Sequence, residues 1–334
     1  MKKKVFLGIS VIVVLLFLLS LQVAALNVRF LSRYDSKAGF DAGGAEIIAY
    51  DPTSFKVFVA NGADKAVDIL DLSNPEGIRF LKRIFLEEID INSFKAGDIT
   101  SVAVHPEGRY IAVTITADPK TERGRVAFLN NNGGLMGSVI VGYLPDMLTF
   151  TPDGNSILVA NEGEPDDQYT IDRPGSVSII DISKGFYSVE VFEIGFNYLT
   201  KDRIHKDVRV FGPGADIAQD LEPEYIAVSP DSKIAYVVLQ ENNGLAKIDL
   251  VKKRCDYIYS FGYKDHSIVG NELDVSNKDG KINIRNWPLL GVYQPDGIDI
   301  FVENGELFII TANEGDARDY DGFSEKVRGA DIAD

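Results

Sequence analysis

A short two-strand unit recurs five times along the chain, and this repetition constrains the fold more than any other feature. Each copy has an acidic residue, an apolar run of four to six residues, a turn with Pro, Asp or Gly, and a second apolar run. The copies begin at Ala45, Asp98, Pro145, Pro223 and Pro295. Runs rich in Ile, Val, Phe and Tyr around turns such as TPDGN (151–155) predict β-hairpins.

Further strands follow several of the hairpins. GSVSIIDIS (175–183) and GLAKIDL (244–250) read as third strands, and YSVEVFEIG (187–195) reads as a fourth. Four short antiparallel strands in each repeat predict an all-β fold, a β-propeller of four-stranded blades. A β-sandwich is the alternative, but it would not repeat one hairpin with the same flanking residues. Two longer spacings between the copies predict loop insertions at about 196–222 and 262–294.

The chain of 334 residues holds about four and a half such blades. The fifth copy has only its first two strands, so we expect an incomplete ring and a chain truncated from a longer product. Propellers often close by pairing an N-terminal strand with the last blade. LNVRFLSRY (26–34) is the candidate for that strand, and its partner would be lacking here.

The N-terminus has the pattern of an export signal. Lys2, Lys3 and Lys4 precede an apolar run from Val5 to about Leu21, which ends in LQVAAL. We interpret residues 1–25 as a signal peptide and 26–334 as the propeller domain, secreted, periplasmic or at the cell surface. An uncleaved signal anchor is the alternative, and it would be the only attachment to a membrane. A single cysteine excludes an intrachain disulfide.

The charge balance narrows the range of partners. The chain has 34 Lys and Arg against 50 Asp and Glu, a formal net charge of −16. Nucleic-acid binding requires a basic surface, so we exclude it. An acidic exported protein is better suited to cations or to an extracellular protein, glycan or small ligand.

The carboxylates are concentrated where a propeller brings loops together. The loop before a blade's first strand and the loop after its second strand lie on one face, near the central channel. The near copies VANEGEPDDQY (159–169) and TANEGDARDY (311–320) occupy the second kind of loop, and QDLEPE (219–224) the first. Acidic residues before the first strands are Glu46, Asp98, Asp146, Glu224 and Asp296. The predicted metal ligands are Glu162, Glu164, Asp166, Asp220, Glu222, Glu224, Asp296, Glu314, Asp316 and Asp319.

Calcium is the simplest occupant of such a cluster. Like charges close together cost free energy unless a cation compensates them, and Ca²⁺ accepts six to eight oxygens in irregular geometry. A solvated acidic rim is the alternative, with Asn161 and Asn313 as turn formers. Arg318 and Arg328 could also neutralise part of the cluster.

Other motifs carry no chemistry that we can assign. LDVSNKDGKINI (273–284) matches a calcium loop at three positions but lacks its first and last ligands, so we interpret it as a polar turn. His105, His205 and His266 have no metal-binding spacing, and we expect them in exposed loops. The sequence has no Gly-x-Ser-x-Gly elbow, P-loop or Cys/His pair, so the catalytic residues of any reaction are unknown.

Several motifs, in order, resemble the choice-of-anchor I family of exported β-propellers. They are QDLEPEYIAVSPDSKIAYVVLQENNGLAKIDL (219–250), YQPDGIDIF (293–301) and TANEGDARDY (311–320). The family overlaps proteins described as mesenchyme-specific cell-surface glycoproteins or as alkaline-phosphatase-associated, and the VSPD…YV hairpins resemble YVTN-type repeats. The resemblance implies an extracytoplasmic ring of seven blades, often followed by a surface anchor. It implies no settled activity.

Two functional classes follow. The first is an exported, non-enzymatic propeller that binds a divalent cation, an extracellular ligand or both through its acidic face. The second is a calcium-dependent hydrolase of the phosphoesterase type, by analogy with propeller phytases. The second needs basic groups at the mouth, for which the candidates are Lys201, Arg203, Lys206, Arg318 and Arg328.

Overall fold

Four antiparallel four-stranded sheets and two two-stranded sheets make up the fold of the described residues. The computed structural model describes residues 28–40, 42–89 and 94–332. Every sheet is built in chain order, with each strand beside the strand that precedes it. This is the topology of propeller blades, and it confirms the all-β propeller prediction over the β-sandwich.

The strands have the following bounds. Blade 1 has β1 (Ile48–Asp51), β2 (Lys56–Asn61), β3 (Ala66–Asp71) and β4 (Arg79–Phe85). Blade 2 has β5 (Ala96–Val104), β6 (Ile111–Ala117), β7 (Arg123–Leu129) and β8 (Leu135–Tyr143). Blade 3 has β9 (Pro145–Phe150), β10 (Ser156–Asn161), β11 (Ser176–Asp181) and β12 (Glu190–Gly195). Blade 4 has β13 (Pro223–Val228), β14 (Ile234–Leu239), β15 (Gly244–Asp249) and β16 (Arg254–Ser260). After the short pair β17 (Lys264–Asp265) and β18 (Leu290–Gly291), blade 5 has β19 (Pro295–Glu303) and β20 (Glu306–Asn313).

The blades form an arc that does not close. The innermost strands β1, β5, β9, β13 and β19 contact one another in that order. Both ends of the arc expose apolar side chains, Ile48 in blade 1 and Val302 and Ile310 in blade 5. The incomplete ring is as expected, while the number of blades in a closed ring stays a prediction.

The core lies between neighbouring blades. Successive side chains of a strand point to opposite faces, so a blade packed on both sides buries both sets. In β10, Leu158 and Ala160 face blade 4, whereas Ile157 and Val159 face blade 2. Second strands therefore read as continuous apolar runs. Each fully buried Leu, Ile or Phe contributes roughly 1.5–3 kcal/mol.

The two predicted insertions are loops between blades. Residues 196–222 contain the 3-10 turn Lys201–Arg203 and helix α1 (Ile217–Asp220). Asp216 caps α1 by accepting from the amides of Ala218 and Gln219, while the Gln219 side chain accepts from the Asp216 amide. This capping box places Asp220 at the end of the helix, beside the start of β13. Helix α2 (Gly329–Ile332) follows blade 5.

The described part of the segment proposed to close the ring, residues 28–34, is not a strand. The predicted signal peptide, residues 1–25, lies outside the described residues, as do residues 26 and 27. Residues 28–34 have no regular structure, and side chains hold them against blade 1. Tyr34 donates to Asp68 at 2.6 Å, and Arg29 pairs with Glu76 at 2.8 Å. No helix of the described residues is long and apolar enough to span a bilayer.

Two of the three histidines are buried, contrary to expectation. His105 lies in the turn between β5 and β6, where its ring contacts Tyr110 and hydrogen-bonds the Gly154 carbonyl at 3.2 Å. His266 is bonded to the Asn271 carbonyl at 2.7 Å. His105 thus joins the turns of blades 2 and 3, on the face opposite the acidic loops.

Candidate cation site at the channel mouth

A proline followed by an acidic residue opens three of the blades and aims the carboxylate. Pro145 of β9 pairs with Asn161, and Pro223 of β13 with Leu239, and in both cases the register shifts directly afterwards. The first strand of blade 5 begins in the same way. Such bulges redirect a side chain away from the regular alternation. The acids of blades 2 to 5 therefore lie inside their first strands rather than before them, a small correction to the sequence prediction.

Three carboxylates from two blades converge at the mouth. Asp146 of β9, Glu224 of β13 and Glu162, which follows β10, each offer an oxygen within 4.8 Å of the other two. Glu162 is buried, and the other two are partly buried. In the described part of the chain, none of the three carboxylates has a hydrogen bond or an ion pair. We call these three residues the open triad.

Burial and mutual repulsion disfavour the charged form of the open triad. Burial raises the pKa of Asp146 to about 7, with additional repulsion from Asp296, Glu164 and Glu46. Burial and its acidic neighbours also hold the pKa of Glu162 and of Glu224 well above the ordinary value. At neutral pH the triad therefore needs protons or a cation to offset its charge.

Glu241, in the loop after β14, is a fourth buried acid beside the triad. Its side chain is 8% exposed, and its Oε2 atom has no hydrogen-bond partner among the described residues. Burial raises its pKa to about 7, although Arg318 opposes the shift. A buried carboxylate oxygen without a partner is costly, so it points independently to a bound group at the mouth.

A second acidic group at the mouth carries its own cation. Arg318 is buried, with Nη1 at 2.6 Å from Asp220 Oδ1 and Nη2 at 3.1 Å from Glu222 Oε1. Its Nη2 also donates to the Asp220 carbonyl at 2.7 Å. We call Arg318, Asp220 and Glu222 the closed triad. The prediction that arginine neutralises part of the cluster holds for Arg318, whereas Arg328 instead donates to Asn277.

The surroundings of the closed triad fix it in place. The Arg318 guanidinium lies 4.7 Å from the centroid of the Phe211 ring, and the Arg318 amide donates to Glu325 at 3.0 Å. Asp220 Oδ2 also accepts from the Phe211 amide at 3.0 Å. The oxygens of Asp220 are thus already occupied by donors from the protein.

The other predicted ligands lie around these two groups. Glu164 accepts from Lys120 at 2.9 Å and from the Tyr320 hydroxyl. Asp166 serves its own loop by accepting from Thr170 and Ile171, and these bonds lower its pKa. Glu164 is therefore a neighbour of the open triad, and Asp166 is a turn residue.

The four predicted ligands of blade 5 are peripheral. Partial desolvation and the neighbouring Glu314 raise the pKa of Asp296, and Glu314 itself accepts from Gln240 at 3.0 Å. Asp316 and Asp319 are exposed. Of the ten predicted ligands, the structure brings only Glu162 and Glu224 into the open triad.

The sequence analysis did not include Asp146 among the predicted metal ligands, and it did not place Lys120 at the site. Asp146 had a usable signal, because its Pro-Asp pair is the counterpart of Pro223-Glu224 in blade 4. Lys120 had none, since it lies 44 residues from Glu164.

The two near-identical loops of the sequence meet at this mouth. The Gly322 amide donates to the Asp167 carbonyl at 2.9 Å, and Gln168 donates to Asp321 at 3.2 Å. The Tyr169 ring lies 5.7 Å from Tyr320 and 5.3 Å from Phe323. The segment after β20, residues 316–325, is named here the strap. It crosses from blade 5 to blade 3 and supplies Arg318 on the way.

Comparisons with known proteins identify the family of the chain. A model of the choice-of-anchor I domain matches residues 46–334. No curated protein matches the sequence. The chain is similar to a solved Lactobacillus plantarum protein, with 14% identity over 80% of this chain and 63% of that one, at a TM-score of 0.46. It is also similar to the β-propeller domain of Cps50 (Swd1) from Myceliophteria thermophila, with 13% identity over 66% of this chain and 55% of that one, at a TM-score of 0.42. The chain thus spans about three fifths of the length of these structures, and the description of the fold rests on the blade topology.

Proposed function

Because the chain belongs to the choice-of-anchor I domain family, we propose that it is an exported, surface-associated propeller that binds a divalent cation at its channel mouth. The family assignment supports the location outside the cytoplasm. The chemistry of the open triad supports the cation. Its further partner, an extracellular protein, a glycan or a small ligand, stays a prediction.

The observation that carries this proposal is the absence of any counter-charge on the open triad in the described residues. Three carboxylate oxygens within 4.8 Å of one another, without a hydrogen bond or an ion pair, are unfavourable unless they share a positive charge. In the closed triad, by contrast, the buried Arg318 compensates the charge of Asp220 and Glu222. The unpartnered Oε2 of Glu241 adds a further acceptor nearby.

Calcium is the cation that best suits these groups. All the available donors are oxygens, which excludes a soft-metal preference. Carboxylates contributed by separate blades give an irregular set, which Ca²⁺ tolerates and Mg²⁺ does not. Asp146, Glu162 and Glu224 would hold the ion, with water completing its shell.

The test is thermal unfolding of the purified protein with Ca²⁺ and then with excess chelator. At a concentration about 100 times the dissociation constant, a ligand of the native state adds roughly 2.7 kcal/mol. We expect the midpoint to rise by several degrees in the wild type and not in Glu162→Gln. Glu306→Gln is the matched control, since Glu306 is an exposed carboxylate in blade 5. It should keep the full shift.

Two outcomes would contradict the proposal. The first is an unchanged midpoint at millimolar Ca²⁺ in the wild type. The second is an equal shift in the wild type and in Glu162→Gln, which would place the ion elsewhere.

The hydrolase alternative requires a basic group that is free to meet a phosphate. Arg318 is held by Asp220 and Glu222, and Lys120 is held by Glu164. These contacts favour the binding function. Calcium-dependent hydrolysis of a phosphomonoester by the wild type, abolished in Glu162→Gln, would reverse that preference.

A further inference from the structure

A cavity of about 390 Å³ lies beside blade 2, away from the open triad. The connection from β4 to β5 contributes Phe94 and Lys95, and the connection from β6 to β7 contributes Asp118. Arg125 of β7 and Ile140 of β8 form its wall. These connections open on the same face as the channel mouth. The volume is in the range of small-molecule sites.

Arg125 is the unusual residue of this cavity. Its guanidinium carbon lies 5.1 Å from the centroid of the Phe94 ring. Its Nε is buried and has no acceptor. Within the described ranges, its guanidinium makes no hydrogen bond or ion pair. A buried N–H without an acceptor is destabilising, so the arrangement calls for one.

The other cations of the cavity are already paired. Lys95 Nζ lies 2.6 Å from Asp118, and Arg123 forms an ion pair with Glu193. In a chain with a net charge of −16, an arginine that pairs with no carboxylate is unusual, and Arg125 differs in this from Lys95 and Arg123. Arg125 is partly exposed and therefore has an unpaired charge to offer to a ligand.

We propose that this cavity binds the carboxylate of a small organic acid through Arg125. The two Nη groups of a guanidinium present a planar pair of N–H donors that matches the two oxygens of a carboxylate. Phe94 and the half-exposed Ile140 give an apolar flank for the body of such a ligand. The carboxylates of Asp118 and Glu122 in the lining disfavour a doubly charged group such as phosphate more than a singly charged carboxylate. Benzoate, a flat ring with one carboxylate, is the simplest probe.

The test is titration of the protein with benzoate by calorimetry, in the presence of chelator. We expect millimolar binding to the wild type and about tenfold weaker binding to Arg125→Lys, which keeps the charge but loses the planar pair of donors. Arg109→Lys is the matched control, because Arg109 is exposed in the turn on the opposite face. It should bind benzoate like the wild type, as should Glu162→Gln.

A second variant keeps the test decisive if Arg125→Lys is unstable. Ile140 is the direct cross-strand partner of Arg125 and is 52% exposed. Ile140→Glu places a carboxylate of the protein beside Arg125, so benzoate binding should be lost while the fold is kept. Equal benzoate binding in all variants would overturn the proposal, and so would no binding to the wild type. Tighter binding of inorganic phosphate than of benzoate would overturn the assignment to a carboxylate.

Discussion

The open and closed triads lie at one mouth, have similar composition, and differ in a single residue. In the closed triad, Arg318 neutralises Asp220 and Glu222 with bonds of about 3 Å. In the open triad, three carboxylate oxygens lie within 4.8 Å of one another, and no arginine or lysine of the described residues pairs with them. The difference shows that carboxylate density does not by itself define a metal site. What defines it is the charge that remains once the protein's own arginines and lysines have been placed.

The largest expected effect comes from opening the closed triad. Arg318→Met leaves two buried carboxylates uncompensated, and we expect a loss of about 3–5 kcal/mol in the free energy of unfolding. Urea denaturation measures it. Arg254→Met is the control, since that arginine forms an exposed pair with Asp256 and should cost less than about 1 kcal/mol. A loss as small as that of the control would show that Arg318 is dispensable.

Removing a carboxylate charge from the open triad should raise the free energy of unfolding of the metal-free protein rather than lower it. Glu162→Gln removes a buried, repelled charge, so the metal-free protein should gain on the order of 1 kcal/mol. The gain is measured by denaturation in chelator at neutral pH. With excess Ca²⁺ the order should reverse, because the wild type then gains the ion. A variant less stable than the wild type in chelator would mean that Glu162 has a native partner.

The open triad also predicts an unusual pH dependence for the metal-free protein. The folded state holds the pKa of Asp146 at about 7, against 3.8 in the unfolded chain. Between these values the folded state binds more protons, so rising pH removes stability. The difference in unfolding free energy between the wild type and Asp146→Asn should become less favourable to the wild type from about pH 4 to 7. A flat difference over that window would contradict the raised pKa.

The smallest effect concerns the edge of the open triad. Lys120 offsets the charge of Glu164, which in turn repels the triad. Both side chains are partly exposed, so Lys120→Met should change stability by less than about 1 kcal/mol. It should nevertheless raise Ca²⁺ affinity several-fold, measured by titration calorimetry. Weaker Ca²⁺ binding would indicate that Lys120 helps to position Glu164.

The blade pattern could be predicted because it is local. A hairpin such as 145–161 contains both strands, the turn and the register within one short segment, so the other copies can be recognised in the sequence by the same local pattern. The acidic face followed from topology alone. The sequence pattern could not show whether residues 26–34 form the closing strand, because strand pairing depends on a partner elsewhere in the chain.

The division of the acids into two triads was beyond sequence reasoning. Arg318 lies 98 residues after Asp220, and nothing near either residue indicates the pairing. Asp166 looked like a ligand but bonds its own loop, as Asp often does in turns. Asp146 was expected near the channel, but nothing local in the sequence distinguishes it from Asp296, which follows the same Pro and bulge in blade 5 and lies outside the open triad.

The strap has a consequence for how the molecule unfolds. In repeat proteins each unit touches only its neighbours, so stability is nearly additive along the array. Here residues 316–325 join blade 5 to blade 3 through Gly322, Gln168 and Tyr169, and Arg318 pairs on the way with Asp220 and Glu222 at the start of blade 4. Blade 4 then cannot open while both of its neighbours stay closed. The last three blades should therefore exchange their amide hydrogens as one cooperative unit.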